Sequence, residues 1–314
     1  MRIGVLGGGP AGLYFALLAK RADPGHEITV VERNAPDATF GWGVVFSEET
    51  LGALRDADYP SYVEITDTFA RWNAIDVVYG GRTVRSRGHV FSAIARKRLL
   101  QILQRRCREV GVELAFRQEV PDLDTTFADR DLVVAADGIH STARRLLEPH
   151  LRPALDVHRS RFVWFGSDLH LDAFTFIFRT TAHGMFQVHA YPFDADTSTF
   201  IVETTEATWR AAGLDQAGEE DSIAFCQELF APELGGHKLL SNRSLWISFV
   251  TVRCQSWHHG NVVLLGDAAH TAHFTIGSGT KLAMEDAVAL GQALQRHPAA
   301  LEAACTDYEL ERQP

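Results

Sequence analysis

The chain opens with Met1-Arg-Ile-Gly-Val-Leu-Gly7-Gly-Gly9-Pro-Ala-Gly12, and its next apolar run, Glu27-Ile-Thr-Val-Val-Glu32, closes on a single carboxylate. This spacing predicts a strand, a tight glycine turn, a helix over Leu13–Arg21 and a second strand ending in an acid. Gly7 permits the turn, Gly9 lets backbone approach a pyrophosphate, and Gly12 lets helix and strand pack closely. The free N–H groups and positive dipole of the helix start would face the phosphates. Glu32 lies 20 residues beyond Gly12, where an acid can accept both hydroxyls of an adenosine ribose. The pattern reads as a dinucleotide-binding unit.

The rest of the chain bounds what that unit can serve. At 314 residues, 46% hydrophobic and 22% charged, the chain is long enough for one large or two ordinary globular domains. A net charge of −10 disfavours nucleic acid or an anionic membrane as partner. No apolar run reaches the length of a membrane span, and the opening strand belongs to the fold, so no signal peptide is expected. Cys107, Cys226, Cys254 and Cys305 form no CxxC and no disulfide-like pattern, which predicts a reduced, cytoplasmic setting. Among the 14 histidines, His258-His259 reads as a turn beside Gly260, and no third ligand joins His270 and His273, so no metal site is expected.

Further along, Phe40-Gly-Trp-Gly43 leads into Val44-Val-Phe46 and Ser47-Glu-Glu-Thr50, a helix start with Leu51 and Leu54 on its apolar face. Residues 71–90 alternate around Gly80-Gly81 and predict a β-hairpin. An amphipathic helix is expected over Ile94–Val110, and Asp131-Leu-Val-Val-Ala-Ala136 reads as a buried parallel strand. From about 160 to 204, Phe162–Phe165, Phe174–Arg179, Met185–Tyr191 and Ser198–Glu203 predict an antiparallel sheet. A helix near 219–231 and a strand at 245–251 follow, and α/β character returns with Asn261–Gly266 and a helix over Thr280–Arg296. The fold class expected is α/β: a discontinuous Rossmann-like dinucleotide-binding domain (1–70, 91–155, 253–314) with an inserted, mainly antiparallel β-sheet domain (71–90, 156–252).

Two more segments stand beside the opening motif: Asp131-Leu-Val-Val-Ala-Ala-Asp137-Gly-Ile-His-Ser141-Thr-Ala-Arg144, and Gly266-Asp267-Ala-Ala-His270 continuing to Gly277-Ser-Gly279 and Glu285-Asp286-Ala287. In this order and spacing the three resemble the signatures of the single-component FAD-dependent aromatic hydroxylases, the para-hydroxybenzoate hydroxylase-like class. The resemblance covers nearly the whole chain and implies FAD held by Gly7, Gly9, Pro10, Ala11, Gly12, Glu32, Arg33, Val45, Arg96, Asp137, Asp267, Gly277 and Gly279. Asp267 would accept from the ribityl hydroxyls, and the Gly277–Gly279 loop with the following helix would stabilise the anionic reduced flavin. Arg96 would lie near the FAD phosphates or ribityl chain, and Asp137 with Arg144 would serve FAD and the passing nicotinamide. Taken singly, Asp267 could equally cap a helix, Arg96 could be a solvated helix arginine, and Asp137 could be a turn residue before Gly138.

A narrower likeness lies in Gly41-Trp-Gly-Val-Val-Phe-Ser-Glu-Glu-Thr-Leu51 and His270-Thr-Ala-His273-Phe274-Thr-Ile-Gly277, which resemble the salicylyl-CoA 5-hydroxylase and 2-aminobenzoyl-CoA monooxygenase branch, with a violacein-pathway tryptophan hydroxylase branch close by. Phe274 stands where most of the class has proline, and Lys281 where many have asparagine. The activity implied is aromatic hydroxylation through a flavin C4a-hydroperoxide, with NAD(P)H and O₂, on an aryl-CoA thioester. A free tryptophan-like or other small aromatic substrate, an FAD-dependent reductase of the same fold, and a flavin-binding protein without catalysis are the alternatives.

Trp42, His189, Tyr191, His273 and Phe274 are the substrate-side candidates, each with a core or hydrogen-bonded role as the plain alternative. No catalytic base is nominated. Arg82, Arg85 and Arg87 could meet CoA phosphates or simply keep an edge strand soluble. The closing Tyr308–Pro314 reads as the start of a helix that relatives of the class continue, so a C-terminal helical region beyond this sequence is one reading.

Overall fold

The computed structural model describes residues 1–46, 48–273 and 279–313, with backbone alone for 48–50. Its first sheet runs, in spatial order, His258–His259, Val262–Leu264, Leu132–Ala135, Arg2–Leu6, Glu27–Glu32 and Glu113–Phe116. Every pairing is parallel except that of His258–His259 with Val262–Leu264. Near-continuous apolar runs suit strands covered on both faces, and Ile3, Val5, Leu132, Val134, Val263 and Leu264 are all buried. Helix Pro10–Ala22 starts three residues earlier than the apolar pattern suggests, because Pro10 at its first turn needs no N–H partner there. It packs against helices Arg96–Glu109 and Gly279–Arg296.

The second sheet has the order Leu239–Leu240, Ser160–Ser167, Ser198–Thr205, Gly184–Pro192, Phe174–Thr181, Ala70–Tyr79, Arg82–Ala95 and Gly43–Phe46. It is antiparallel but for one parallel pairing, Phe174–Thr181 on Ala70–Tyr79. The hairpin around Gly80-Gly81 is present, with both glycines in the left-handed region its turn requires. The mixed α/β class with this largely antiparallel sheet is therefore the fold. Three expectations need correcting. The strand placed at 245–251 is Val250–Cys254, paired with Pro153–Val157, and Ile247 makes only an isolated bridge to Phe162. The helix near 219–231 breaks at Phe230 into Glu219–Leu229 and Ala231–Leu234, with Pro232 at the second start. Tyr308 also does not begin a helix but lies within Leu301–Arg312, its ring fully buried.

Alternation gives the second sheet two unlike faces. One carries Val163, Phe165, Phe186, Val188, Phe200 and Val202 against Cys226, Phe230 and Leu234, each large side chain contributing about 1.5–3 kcal/mol of burial. The other presents Phe174, Phe176, Gln187, His189, Tyr191, Thr199 and Glu203, as their cross-strand pairing requires. That second face turns toward residues 39–46. All four cysteines are free thiols and buried, and burial pushes Cys107 up to about 12 and Cys254 up to about 11. Among the described residues no helix is long and apolar enough to cross a membrane.

Candidate functional site

The glycine turn is built tightly on one side and open on the other. Gly7 has φ +106°, and its N–H donates to the Val31 carbonyl at 2.8 Å. A Cβ at Gly7 would overlap the Ala136 carbonyl, and one at Gly12 would overlap the Gly7 carbonyl. At Gly9 an added Cβ would meet nothing within 4 Å, so the helix start faces open space, with Pro10 and Ala11 forming its first turn. Glu32 Oε2 accepts from the Gly8 N–H at 2.8 Å, while Oε1 accepts from the Asn34 backbone N–H at 2.8 Å and its amide at 2.6 Å. The carboxylate thus holds the turn and the strand end together. Arg33, next to it, is exposed.

The second and third motifs lie beside this turn. Asp137 Oδ2 accepts from the N–H groups of Thr142 (2.6 Å) and Ala143 (3.3 Å). Its buried Oδ1 has no partner among the described residues, and burial raises its carboxyl above the usual range against those hydrogen bonds. Arg144, by contrast, is spent on the carbonyls of Ala268 (2.8 Å) and Ile139, tying the second motif to the third. Asp267 is raised by burial, opposed by Arg96, His270 and Arg144; burial lowers Arg96, and Asp267 opposes that. Arg96 also reaches Thr280 Oγ1 at 3.3 Å, at the start of helix Gly279–Arg296, and a Cβ at Gly279 would again meet open space.

These features fit FAD. An open cradle at Gly9, an orphaned carboxylate oxygen at Asp137, and Asp267 exposed to this space within electrostatic reach of a half-buried Arg96 are what a diphosphate and polyhydroxyl chain would satisfy. The structure sets Gly7 against Asp137, Gly266 against Ala11, Glu32 on Gly8, and Arg96 within reach of Thr280 and the charge of Asp267, with Gly9, Pro10 and Gly12 in the first turn and Gly279 beside Thr280; Val45 sits further along, in the strand paired to Ala93. Gly277 and Phe274 lie outside the described residues.

The aromatic face of the second sheet closes onto residues 41–46. Trp42 packs so closely on Gly166 that a Cβ there would come 2.6 Å from the indole, and Gly41 leaves the same room for Trp164 at 2.7 Å. Glycine at 41 and 166 is therefore a packing requirement. Gly43 N–H donates to Thr199 Oγ1 at 3.0 Å, and the Tyr191 hydroxyl donates to the Gly43 carbonyl at 3.0 Å. Tyr191 thus anchors the segment to the sheet, stacked on Trp72 and Phe174, and burial pushes its hydroxyl up to about 12. His189 Nε2 stands 3.7 Å from Glu203 Oε2, an ion-pair spacing, and the ring meets Phe176 edge-on. His273 stacks with His158 and packs on Phe249; burial lowers it, Glu203 opposes that, and His158 and His189 add to it. So Trp42, His189, Tyr191 and His273 do gather at one face, beside the segment that leads into the glycine loop.

Glu203 was missed by motif reading. Its signal was available: a lone acid inside Ser198–Thr205, a strand buried along almost its whole length. His158, Phe249 and Thr199 carried no such signal, since each arrives from a separate element. Of the hairpin arginines, Arg85 is committed within the protein. Arg85 gives its Nε and Nη2 to Asp76 (2.7 and 2.6 Å) and its Nη groups to Asp172 (2.7 and 3.0 Å). Asp76 pairs with Thr175, so Arg85 and Arg87 project from the face turned away from His189.

Glu32→Ala is expected to weaken FAD binding about ten- to a hundredfold, because hydrogen bonds to a charged acceptor contribute about 1.5–3 kcal/mol. Titration of FAD into the apoprotein, followed by quenching of flavin fluorescence, measures this. An unchanged affinity would mean that Glu32 touches only Gly8 and Asn34.

A profile of the family described as FAD binding domain matches residues 1–314. The chain is 43% identical over its whole length to a salicyloyl-CoA 5-hydroxylase of a Streptomyces species, but spans only 62% of that protein. It is 40% identical, again over its whole length and 84% of the relative, to a 3-hydroxy-4-methyl-anthranilyl-[aryl-carrier protein] 5-monooxygenase of Streptosporangium sibiricum. A tetrameric form of 2-methyl-3-hydroxypyridine-5-carboxylic acid oxygenase superposes with a TM-score of 0.82 at 19% identity, covering 100% of this chain and 87% of the other, a likeness of fold.

Proposed function

We propose, from the premise that this chain belongs to the FAD-binding-domain family, that it carries the monooxygenase part of a flavin-dependent aromatic hydroxylase acting on an activated aryl thioester. The net reaction takes ArH, O₂, NAD(P)H and a proton to ArOH, NAD(P)⁺ and water, one oxygen atom going to the ring and the other to water. Bound FAD supplies the electron transfer and the activation of O₂. The observation that carries the reading is the meeting of an aromatic, largely buried sheet face with the 41–46 segment and with His273, which directly precedes the glycine loop.

In this reading residues 71–90 and 156–252 form the substrate side and the remainder the FAD side. Gly9 and the helix start would receive the diphosphate, Asp267 would accept from the ribityl chain, and the half-buried Arg96 would balance the charge of Asp267. Trp42, Trp72, Phe174 and Tyr191 wall the ring and exclude water, which keeps reducing equivalents for the substrate. An amino or hydroxyl substituent on the ring would activate it toward oxygen transfer. The two relatives named above carry their aryl groups on CoA and on an aryl-carrier protein, which supports an acyl thioester over a free acid. A cytoplasmic setting belongs to the same reading, supported by four free, buried cysteines.

The test is turnover of the FAD-loaded chain with salicylyl-CoA, 2-aminobenzoyl-CoA and their free acids. Substrate-dependent NAD(P)H oxidation, matched by O₂ uptake and a product heavier by one oxygen atom, is expected with a thioester. Reductant use without O₂ uptake would point to a reductase, and no product from any substrate would overturn the proposal.

A further inference from the structure

The substrate-facing side of the second sheet contains a carboxylate that the hydroxylation chemistry does not call for. Glu203 is 7% exposed, in the middle of a face otherwise made of aromatic and neutral groups. Its Oε2 accepts from Gln187 Nε2 at 2.7 Å, directly across the strand pair, and His189 Nε2 lies 3.7 Å away. Burial raises this carboxyl, yet His189, Gln187 and Ser160 together hold it below the usual range, so it is a charged acid in a poorly hydrated place. The groups that support its charge include no arginine or lysine.

The cations of this sheet lie elsewhere. Arg85 is committed to Asp76 and Asp172 on the opposite face, Arg161 lies over Trp209 and beside Glu206, and Arg179 pairs with Glu233. Arg82 shares the register of Tyr79 at the far hairpin tip. Among the described residues, then, Glu203 faces the imidazole of His189 at 3.7 Å and no lysine or arginine within ion-pair distance, so where that imidazole is neutral the carboxylate's charge is uncompensated. Bringing a second carboxylate here would place like charges together with little water to screen them.

We propose that Glu203 makes this face a charge filter, admitting aromatic acyl groups whose carbonyl is neutralised as a thioester or amide and rejecting the free aromatic carboxylates. This rests on the hydroxylase reading for the class of ligand, and it adds the residue that selects within that class. The filter also gives a reason for using a carrier-bound substrate: esterification removes the charge that Glu203 repels.

The test is equilibrium binding to the FAD-loaded full chain without reductant, read from the perturbation of the flavin absorbance band, at about pH 8 where an ordinary imidazole is neutral. Three probes of nearly equal shape are compared: 2-aminobenzoate (anion), 2-aminobenzamide (neutral) and 2-aminobenzylamine (cation). The amide and the amine are expected to bind at least about tenfold more tightly than the benzoate. Glu203→Gln, which keeps shape and hydrogen bonding to Gln187, is expected to shrink the amide-to-benzoate ratio about fivefold or more. Equal binding of benzoate and amide by the unaltered protein overturns the filter, as does an unchanged ratio in a folded E203Q. Should E203Q fail to fold, the ranking of the three probes by the unaltered protein decides alone. Charge-ranked binding without turnover would sink the hydroxylase reading and leave the filter; turnover without charge ranking would do the reverse.

Discussion

Gly7→Ala is expected to lower the stability of the protein by about 3 kcal/mol or more and to leave it unable to retain FAD. Two independent costs add. The residue sits at φ +106°, where a side chain is strained by about 1–2 kcal/mol. Its Cβ would also overlap a backbone carbonyl, that of Ala136, which cannot rotate away as a side chain could. Overpacking of this kind costs about 1–3 kcal/mol. Because Ala136 N–H donates to the Leu6 carbonyl at 2.8 Å, relief would pull apart the central strands 2–6 and 132–135. Gly9→Ala is the contrast. That Cβ meets nothing within 4 Å of protein, so thermal unfolding of the apoprotein should be unchanged while FAD affinity falls by about tenfold or more, the methyl occupying space a diphosphate would use. Thermal melts and flavin titration of both variants separate the two roles. An apoprotein melting point for Gly7→Ala equal to that of the unaltered chain would show the turn to be less constrained than its geometry says.

The same contrast explains how much could be read from residues alone. Gly7, Gly12 and Glu32 are legible because their roles are local: a turn, a close helix crossing and a strand end, all within one unit. Asp137 and Asp267 needed the joint pattern of three segments, since a single aspartate before a turn has several uses. The substrate face was legible only as alternation. His189 and Tyr191 share a side, but nothing in the strand says that Tyr191 spends its hydroxyl on Gly43, some 148 residues away. Likewise the hairpin arginines looked available until pairing placed Asp76 beside Arg85 and turned both from the site. Glu203 was overlooked for the opposite reason: its environment, not its spacing, makes it unusual. Register and long-range pairing carry this information, and neither is encoded in a short window.

Asp286→Ala is expected to cost about 3–5 kcal/mol, since removing one member of a buried charged set strands the others. Asp286 has no exposed surface, and it binds three elements at once. Its Oδ2 accepts from the Gly266 N–H at 3.2 Å and from His270 Nε2 at 2.8 Å, and its Oδ1 accepts from Arg312 Nε at 2.7 Å. Burial would lower Arg312, but Asp286 and Glu285 hold it above its ordinary value, so the guanidinium stays charged and would lose its main partner. Gly266, at φ +63°, begins the turn that presents Asp267, and His270 is stacked flat on Trp257 at 4.6 Å. Loss of the carboxylate should therefore loosen the Asp267 turn and the helix Leu301–Arg312 together, and weaken FAD binding as well as stability. Arg312→Met removes one partner and leaves Asp286 with two hydrogen bonds, so it should cost less. The double variant should fall short of the sum by about 0.5–3 kcal/mol, because the stranded arginine is gone. Urea unfolding of the four proteins measures each value. Strict additivity of the two single costs would mean that Asp286 and Arg312 act independently, against the shared 2.7 Å contact on which the expectation rests.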